Sequence, residues 1–249
     1  MSTPSPMRNV PLLAVMAALL FLLSGCALFK STDMARTTPE GLYQRGLEDY
    51  QEGRYKKAVE SFQRVKDEHP LSEVAILAEL GIGDSYFSNE QYAEAELVYG
   101  DFLSLHPANE NLPYVIYQLG MCHYKQIGSI DRDQTETVRA KKEFERLVAR
   151  FPSSKFSFMA EKMIQECRRM LGEKEFYIAH TYYKLKRYGA ALRRFEVVAK
   201  EYAGLGLDYK VDFFIAETRK RLIEEEANKD KDTDAYRPIS RPIQLFPYY

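Results

Sequence analysis

Residues 55–107 read YKKAVESFQRVKDEHPLSEVAILAELGIGDSYFSNEQYAEAELVYGDFLSLHP, and this stretch contains one apolar pattern twice. The two sets are Tyr55, Ala58, Phe62, Val65 and Pro70, and then Tyr92, Ala95, Tyr99, Phe102 and Pro107. Each residue of the second set lies 37 positions after its partner in the first. Spacings of three, four and seven place side chains on one face of a helix, and a proline ends such a helix. The stretch therefore predicts an amphipathic helix that is repeated along the chain.

The pattern recurs twice more. The later sets are Ala140, Phe144, Leu147 and Pro152, and then Tyr188, Ala191, Phe195 and Val198, with Ala203 at the proline position. Ahead of each set lies a first helix with a small residue and a tyrosine: Gly46 and Tyr50, Gly81 and Tyr86, Gly120 and Tyr124, and Ala179 and Tyr183. A helix–turn–helix unit of about 34 residues with these features resembles the tetratricopeptide (TPR) repeat.

The predicted fold is all-α, a right-handed TPR-type solenoid of about five helical hairpins, or about ten helices. An insertion at 127–135 splits the third unit, an additional helix is predicted at 154–171, and a final helix at 208–226 covers the open end. Helix starts are marked by Thr38-Pro39, Ser72-Glu73, Asn111-Leu112-Pro113 and Ser153-Ser154. The alternative is a four-helix-type bundle with accidental alanine spacing.

The amino-terminal residues are predicted to be an export signal and not part of the fold. Arg8 precedes an apolar run at 10–23, which is shorter than the ~20 residues that a membrane-spanning helix needs. Leu23-Ser24-Gly25-Cys26 resembles the lipobox of bacterial lipoproteins, which implies a signal peptide at 1–25, palmitate-type acylation of Cys26 and a tether at 26–38. Ala27, in place of an aspartate, implies export to the outer membrane. The alternative is a soluble secreted protein with an incidental cysteine.

Composition excludes one class of partner. The 223 residues after Cys26 carry 34 basic and 36 acidic side chains, whereas nucleic-acid binding needs a basic excess or stripe. Cys122 and Cys167 lie within helical patterns, so we expect two buried thiols. A disulfide is the alternative in an oxidising compartment.

No motif for catalysis, a metal or a cofactor is found. The histidines stand at 69, 106, 123 and 180, which is not a metal-ligand spacing. Gly81-Ile82-Gly83 lies inside a predicted helix and lacks the strand and lysine of a nucleotide loop. His69 and His106 precede repeat prolines, and we expect them at helix C-termini. The sequence predicts a binding protein and not an enzyme.

Six aromatic residues fall where the first helices of TPR units usually face the concave groove. They are Tyr43, Tyr50, Phe87, Tyr114, Tyr117 and Tyr124. We expect an aromatic-lined trough that binds an extended apolar peptide, because these rings offer large apolar areas and tyrosine adds a hydroxyl. The alternative is that the rings pack in the core, above all Tyr43 and Tyr50 of the terminal repeat.

The lipobox, the repeat layout and two local stretches make the chain, up to about residue 228, resemble the BamD (ComL) family of outer-membrane β-barrel assembly lipoproteins. One stretch joins Leu105-His106-Pro107 to Asn111-Leu112-Pro113-Tyr114-Val115-Ile116-Tyr117. The other joins Asp131-Arg132-Asp133, at the split-repeat insertion, to Ala140, Phe144, Leu147 and Phe151-Pro152. Generic TPR arrays lack this second stretch.

The resemblance implies partners for each part of the chain. Residues 39–152 are expected to receive the targeting segment of unfolded β-barrel proteins. Residues 153–228 are expected to dock on the POTRA domains of a BamA-like barrel protein, alongside other lipoproteins of the assembly complex. Arg187, Arg193 and Arg194 are the docking candidates, since arginine pairs bidentately with carboxylates, and a solvated helix face is the alternative. Residues 229–249 are predicted to form an extended tail, either docked on a subunit or disordered.

The implied location is the periplasmic face of the outer membrane, with a lipid anchor at Cys26. Two other functions share the lipobox and the repeats: a pilotin that escorts a secretin, and a scaffold for peptidoglycan enzymes. The split repeat argues against the pilotin, and co-purification with murein would identify the scaffold.

Overall fold

The computed structural model describes residues 37–235, with side chains up to Asn228. The chain divides into two compact units between Lys125 and Gln126. The first unit contains α1 (Pro39–Gln51), α2 (Tyr55–Glu68), α3 (Ala75–Ser88), α4 (Tyr92–Leu105) and α5 (Leu112–Lys125). The second contains α6 (Thr135–Arg150), α7 (Lys155–Lys184), α8 (Tyr188–Glu201) and α9 (Asp208–Ala235). The predicted signal peptide, Cys26 and nearly all of the tether lie outside the described residues.

Within the described residues the chain forms helices and turns without strands, so the all-α prediction is confirmed. Inside each unit every helix packs on the next one along the chain, as in a TPR stack. The core includes the predicted repeat positions on the second helices, each at most 2% exposed: Ala58, Phe62, Val65, Ala95, Tyr99, Phe102, Ala140, Phe144, Leu147, Ala191, Phe195 and Val198. The repeated pattern therefore is the buried face of the second helix in each hairpin.

In the first two repeats the ring packs against a glycine sixteen positions earlier. A Cβ at Gly46 would lie 2.5 Å from the Phe62 ring, and a Cβ at Gly83 would lie 2.6 Å from the Tyr99 ring. The repeat counterpart of Gly46 is therefore Gly83, and not Gly81 as the sequence suggested. Gly81 instead contacts the other edge of the Phe62 ring, at 2.7 Å for a Cβ. These glycines allow the close helix approach that the ring requires.

Several predicted helix ends are confirmed. The hydroxyl of Thr38 accepts a hydrogen bond from the Gly41 amide at 3.1 Å, and that of Ser154 accepts one from the Phe156 amide at 3.2 Å. His69 and His106 occupy the C-caps of α2 and α4. Ser72 is not a side-chain cap, because α3 begins at Ala75 without one.

Two predictions about helices are wrong. The predicted helix at 154–171 and the next first helix are one continuous helix of 30 residues, α7, so the described chain has nine helices and not ten. No proline interrupts α7, and its one glycine, Gly172, serves close packing, with a Cβ there 3.0 Å from Tyr202. In addition, α9 runs to Ala235, so residues 229–235 have helical backbone where an extended tail was predicted. The rest of that tail lies outside the described residues.

The two cysteines are buried thiols. Burial raises the pKa of each to about 12, so both stay protonated at neutral pH and behave as small apolar side chains. The disulfide alternative is not realised within the described residues.

Candidate peptide-binding site

Three of the six predicted aromatic residues line one pocket in the first unit. Tyr43 and Tyr50 come from α1 and Tyr114 comes from α5, while α3 forms the wall between them. The volume of the pocket is about 210 Å³. Its remaining lining residues are Leu47, Phe62, Leu77, Leu80, Gly81, Asp84 and Asn111. The lining is thus mainly apolar and aromatic with a few polar groups, which is the usual composition of a ligand site.

Asp84 of α3 is the charged residue of this pocket. Its Oδ1 accepts hydrogen bonds from the Tyr99 hydroxyl at 2.6 Å and from the Tyr114 hydroxyl at 2.5 Å. The Tyr114 hydroxyl in turn accepts a bond from Gln118 Nε2 at 2.9 Å. Within the described chain, no residue donates a hydrogen bond to the other carboxylate oxygen, Oδ2.

Burial governs the titration of this group of residues. It raises the pKa of Asp84 above the ordinary value, although the two tyrosine hydrogen bonds act in the opposite direction. Burial, and then the charge of Asp84, raise the pKa of Tyr114 and that of Tyr43. The tyrosines therefore remain hydroxyl donors at neutral pH, and Asp84 is a poorly solvated acceptor.

Tyr50 and Phe87 have a second role, at the bend of their hairpins. Tyr50 packs edge-on against Tyr55 with ring centroids 5.5 Å apart, and Phe87 packs in the same way against Tyr92 at 5.3 Å. In the second unit Tyr183 and Tyr188 repeat this contact. The Tyr50 hydroxyl also lies 2.8 Å from Ser88 Oγ. Phe87 does not line the pocket, so its position is explained by the hairpin itself.

Tyr117 and Tyr124 are half-buried on α5 and do not line the pocket. Burial raises the pKa of Tyr117. The structure therefore brings together Tyr43, Tyr50 and Tyr114 and leaves the other three aromatic residues elsewhere.

Sequence reasoning missed Asp84, although the repeat contained a signal for it. Asp84 directly follows Gly83, whereas Leu47 follows the equivalent Gly46 and Met121 follows Gly120. The position is apolar in the first and third repeats, so a carboxylate there stands out, and the fourth repeat, with His180, is the other one with a polar side chain. Such exceptions in a pocket are candidates for function.

The three arginines predicted to bind a partner lie in the second unit, Arg187 at the N-cap of α8 and Arg193 and Arg194 within it. Arg187 and Arg193 are exposed. Arg194 is less exposed, and its Nη1 forms an ion pair of 2.7 Å with Glu175 Oε2 on α7. Its guanidinium also lies 5.9 Å from the centre of the Tyr182 ring. Arg194 therefore already joins α8 to α7 within its own unit.

The split-repeat insertion is an ordered loop. Gln134 Nε2 donates to the carbonyl of Ser129 at 3.1 Å, and Asp133 accepts a bond from the Thr135 amide at 2.7 Å. Lys174 of α7 donates to the Arg132 carbonyl at 3.0 Å. These bonds attach the stretch around Asp131-Arg132-Asp133 to the second unit.

The described residues contain no group of three or more His, Cys, Asp or Glu side chains placed to hold a metal ion. Across residues 37–235, no helix combines the length and the apolar character needed to cross a membrane.

Comparison with known proteins supplies the family. The YfiO family, described as an outer membrane lipoprotein, matches residues 35–233. The outer membrane protein assembly factor BamD of Rickettsia prowazekii is 30% identical over 218 residues, which cover 88% of this chain and 84% of that protein. The BamD of Caulobacter vibrioides is 31% identical over 163 residues, or 66% of this chain and 53% of the relative. The BamD of Haemophilus influenzae is 25% identical over 256 residues, which cover 95% of this chain and 96% of that protein. The chain belongs to the BamD (YfiO) family of outer membrane lipoproteins.

Proposed function

We propose that this chain is a non-enzymatic assembly factor for outer-membrane β-barrel proteins, located at the periplasmic face of the outer membrane. Family membership over residues 35–233 supports the assembly role, as do relatives that are named outer membrane protein assembly factors. The TPR-type stack supports a binding role, because such stacks present surfaces to peptides and proteins.

The pocket of Tyr43, Tyr50 and Tyr114 carries the proposal for substrate binding. An unfolded barrel strand alternates apolar and polar side chains, so one apolar or aromatic side chain can enter the pocket while its neighbours stay solvated. The tyrosine rings supply contact area, and hydroxyl groups at the rim can bond the backbone of the strand. This is peptide recognition by a few buried anchors on a preformed surface.

Binding of a synthetic β-signal peptide to the purified chain, followed by fluorescence anisotropy, tests this site. Tyr43→Ala combined with Tyr114→Ala should weaken binding at least tenfold, because buried aromatic anchors dominate such interfaces. Tyr209→Ala is the matched control, since Tyr209 is 87% exposed and lies in the other unit. Phe87→Ala tests the wider trough, and we expect a smaller effect. Unchanged affinity in the double variant, with its helix content preserved, would overturn the site.

We further propose that the second unit docks on a POTRA-bearing barrel subunit through Arg187, Arg193 and Arg194. Arg194 pairs with Glu175, so Arg194→Glu would place two carboxylates together. A loss of co-purification in this single variant could then come from lost docking or from repulsion inside the unit. The exchange Arg194→Glu with Glu175→Arg restores the internal pair. If Arg194 contacts the partner, the exchange restores thermal stability but not co-purification from detergent-solubilised envelopes. Recovery of both would return Arg194 to a structural role.

The same pull-down separates the rival functions. A barrel protein with POTRA domains should dominate the wild-type sample, whereas a secretin or murein would contradict the assembly role.

For the anchor, Cys26→Ser should leave the fold intact and release the chain from the membrane fraction, because acyl chains on Cys26 are the expected attachment. Firm retention of the variant after partners are washed away would contradict lipid anchoring.

A further inference from the structure

The charge inside the aromatic pocket limits which part of a peptide can enter it. Among the described residues that line the pocket, Asp84 is the one charged side chain, and no lysine or arginine accompanies it. The groups that face its carboxylate from the packed helices are Tyr43 on α1, Tyr99 on α4 and Tyr114 on α5. These are neutral hydroxyl groups, so nothing in the lining compensates a second negative charge.

The two carboxylate oxygens of Asp84 are in different situations. Oδ1 is already shared by two tyrosine hydroxyls, whereas Oδ2 accepts no hydrogen bond from the described residues. Among the described residues, the buried side-chain oxygens that lack a partner are Asp49 Oδ2 and Ser72 Oγ. Asp84 Oδ2 is not one of them, so this unbonded oxygen is accessible. An accessible carboxylate oxygen in an apolar site favours a hydrogen-bond donor and repels an anion.

We propose that the pocket binds a peptide segment that brings an apolar or aromatic side chain together with a donor for Asp84, and that it excludes a terminal carboxylate. The donor is a main-chain amide or a lysine or arginine side chain next to the anchor. The occupant is then an internal strand segment, or one whose end lies outside the pocket. This inference rests on the proposed function and specifies its substrate.

A site that captures a peptide C-terminus would have a different lining. A site built to capture a peptide C-terminus offers basic side chains or clustered backbone amides to the carboxylate. The lining here instead offers a carboxylate and no basic side chain, and the first turn of α5 already faces that carboxylate through the Tyr114 hydroxyl. The lining therefore selects against the terminal charge of a chain while accepting its aromatic side chains.

Two peptides of one sequence test the proposal, both ending in phenylalanine, one as the free acid and one as the amide. Fluorescence anisotropy with the full mature chain should show the amide binding about tenfold more tightly, since like charges at close range in a partly desolvated site repel strongly. Asp84→Asn should reduce this preference to twofold or less. Tyr114→Phe should keep it, because the carboxylate remains.

Asp101→Asn is the matched control for net charge, since Asp101 is exposed on α4 and lies outside this pocket. Equal or tighter binding of the free acid by the wild type would overturn the proposal, as would an unchanged preference in Asp84→Asn. These outcomes differ from failure of the proposed function. In that case neither peptide would be sensitive to Tyr43→Ala with Tyr114→Ala, whatever its terminal group. Circular dichroism of each variant verifies that the fold is retained.

Discussion

The hairpin of α3 and α4 and the hairpin of α7 and α8 share one framework but differ in what surrounds it. In each, a buried ring packs sixteen positions after a small residue, Gly83 with Tyr99 and Ala179 with Phe195. The residue after the small one is polar in both, Asp84 and His180. In the first hairpin this residue lines an open pocket.

In the second hairpin the corresponding space is filled. His180 lies 5.0 Å from the Phe214 ring of α9, and Phe176 lies 5.6 Å from the same ring. Phe214 also stacks on Phe195 at 5.4 Å. The framework thus sets how the helices pack, while the next helix decides whether the polar position is open to a ligand or covered by rings.

The largest expected effect compares the two core rings. Phe62→Ala should cost about 4–5 kcal/mol and Phe195→Ala about 3 kcal/mol, within the range for deleting a buried phenylalanine. Phe62 lies between Gly46 and Gly81, which have no side chains to fill the cavity, and one ring, that of Tyr43, lies near it with its centroid 5.5 Å away. Phe195 contacts Phe176 and Phe214, whose rings can move into it.

Urea unfolding, followed by hydrogen exchange in each unit, measures the two free energies of unfolding. A larger loss for Phe195→Ala than for Phe62→Ala would contradict this account of cavity filling.

A second comparison concerns the glycines of the first unit. Gly46→Ala should destabilise it by about 1–3 kcal/mol, because the new methyl group would lie 2.5 Å from the Phe62 ring. The ring cannot move away from the methyl group, because Gly81 contacts its opposite edge. Gly100→Ala on α4 meets nothing within 4 Å and should stabilise by roughly 0.5–1 kcal/mol through helix propensity. Thermal melts of the two variants should move in opposite directions. A stabilising Gly46→Ala would show that α1 can shift away from the ring.

Most of the fold could be predicted from the sequence because the repeat pattern reports burial directly. The predicted positions Ala58, Phe62 and Val65, and their counterparts, all lie in the core. The continuity of α7 could not be predicted from the pattern, since Gly172 resembles a helix end. Its role, close contact with Tyr202 and Leu207, depends on residues about 30 positions later.

The candidate site was predicted only in part. Tyr43, Tyr50 and Tyr114 converge on one pocket, but helical spacing cannot tell a ring that lines a pocket from one that closes a hairpin. Phe87 belongs to the second kind because Tyr92 follows it across the bend. Asp84 stands out as an exception only when the repeats are aligned on Gly46 and Gly83. The sequence analysis paired Gly46 with Gly81, so this exception was not visible.

A smaller effect is expected at Asp84 itself. Burial raises its pKa in the folded state, so the charged carboxylate costs stability at neutral pH, and this cost disappears as pH falls below the ordinary aspartate range. Asp84→Asn, which keeps an acceptor for the two tyrosines, should therefore be more stable than the wild type near pH 7. Its advantage should vanish by about pH 3. Urea unfolding from pH 7 to pH 3 measures the difference, with Asp101→Asn as the control. An advantage that grows on acidification would contradict the assigned pKa direction.

The smallest effect concerns His180, the counterpart of Asp84 in the second unit. Burial, and then the charge of Lys184, lower the pKa of His180. A lowered histidine pKa means that the unfolded chain binds a proton more readily, so stability falls as pH drops through the unfolded value of about 6.5. His180→Phe, which keeps a ring beside Phe176 and Phe214, should lose less stability between pH 7.5 and pH 5 than the wild type. Lys184→Ala should fall between the two, because burial remains when the neighbouring charge is removed. Equal pH dependence in all three chains would show that the ring cluster admits the protonated imidazole, and that covering the polar position does not alter its titration.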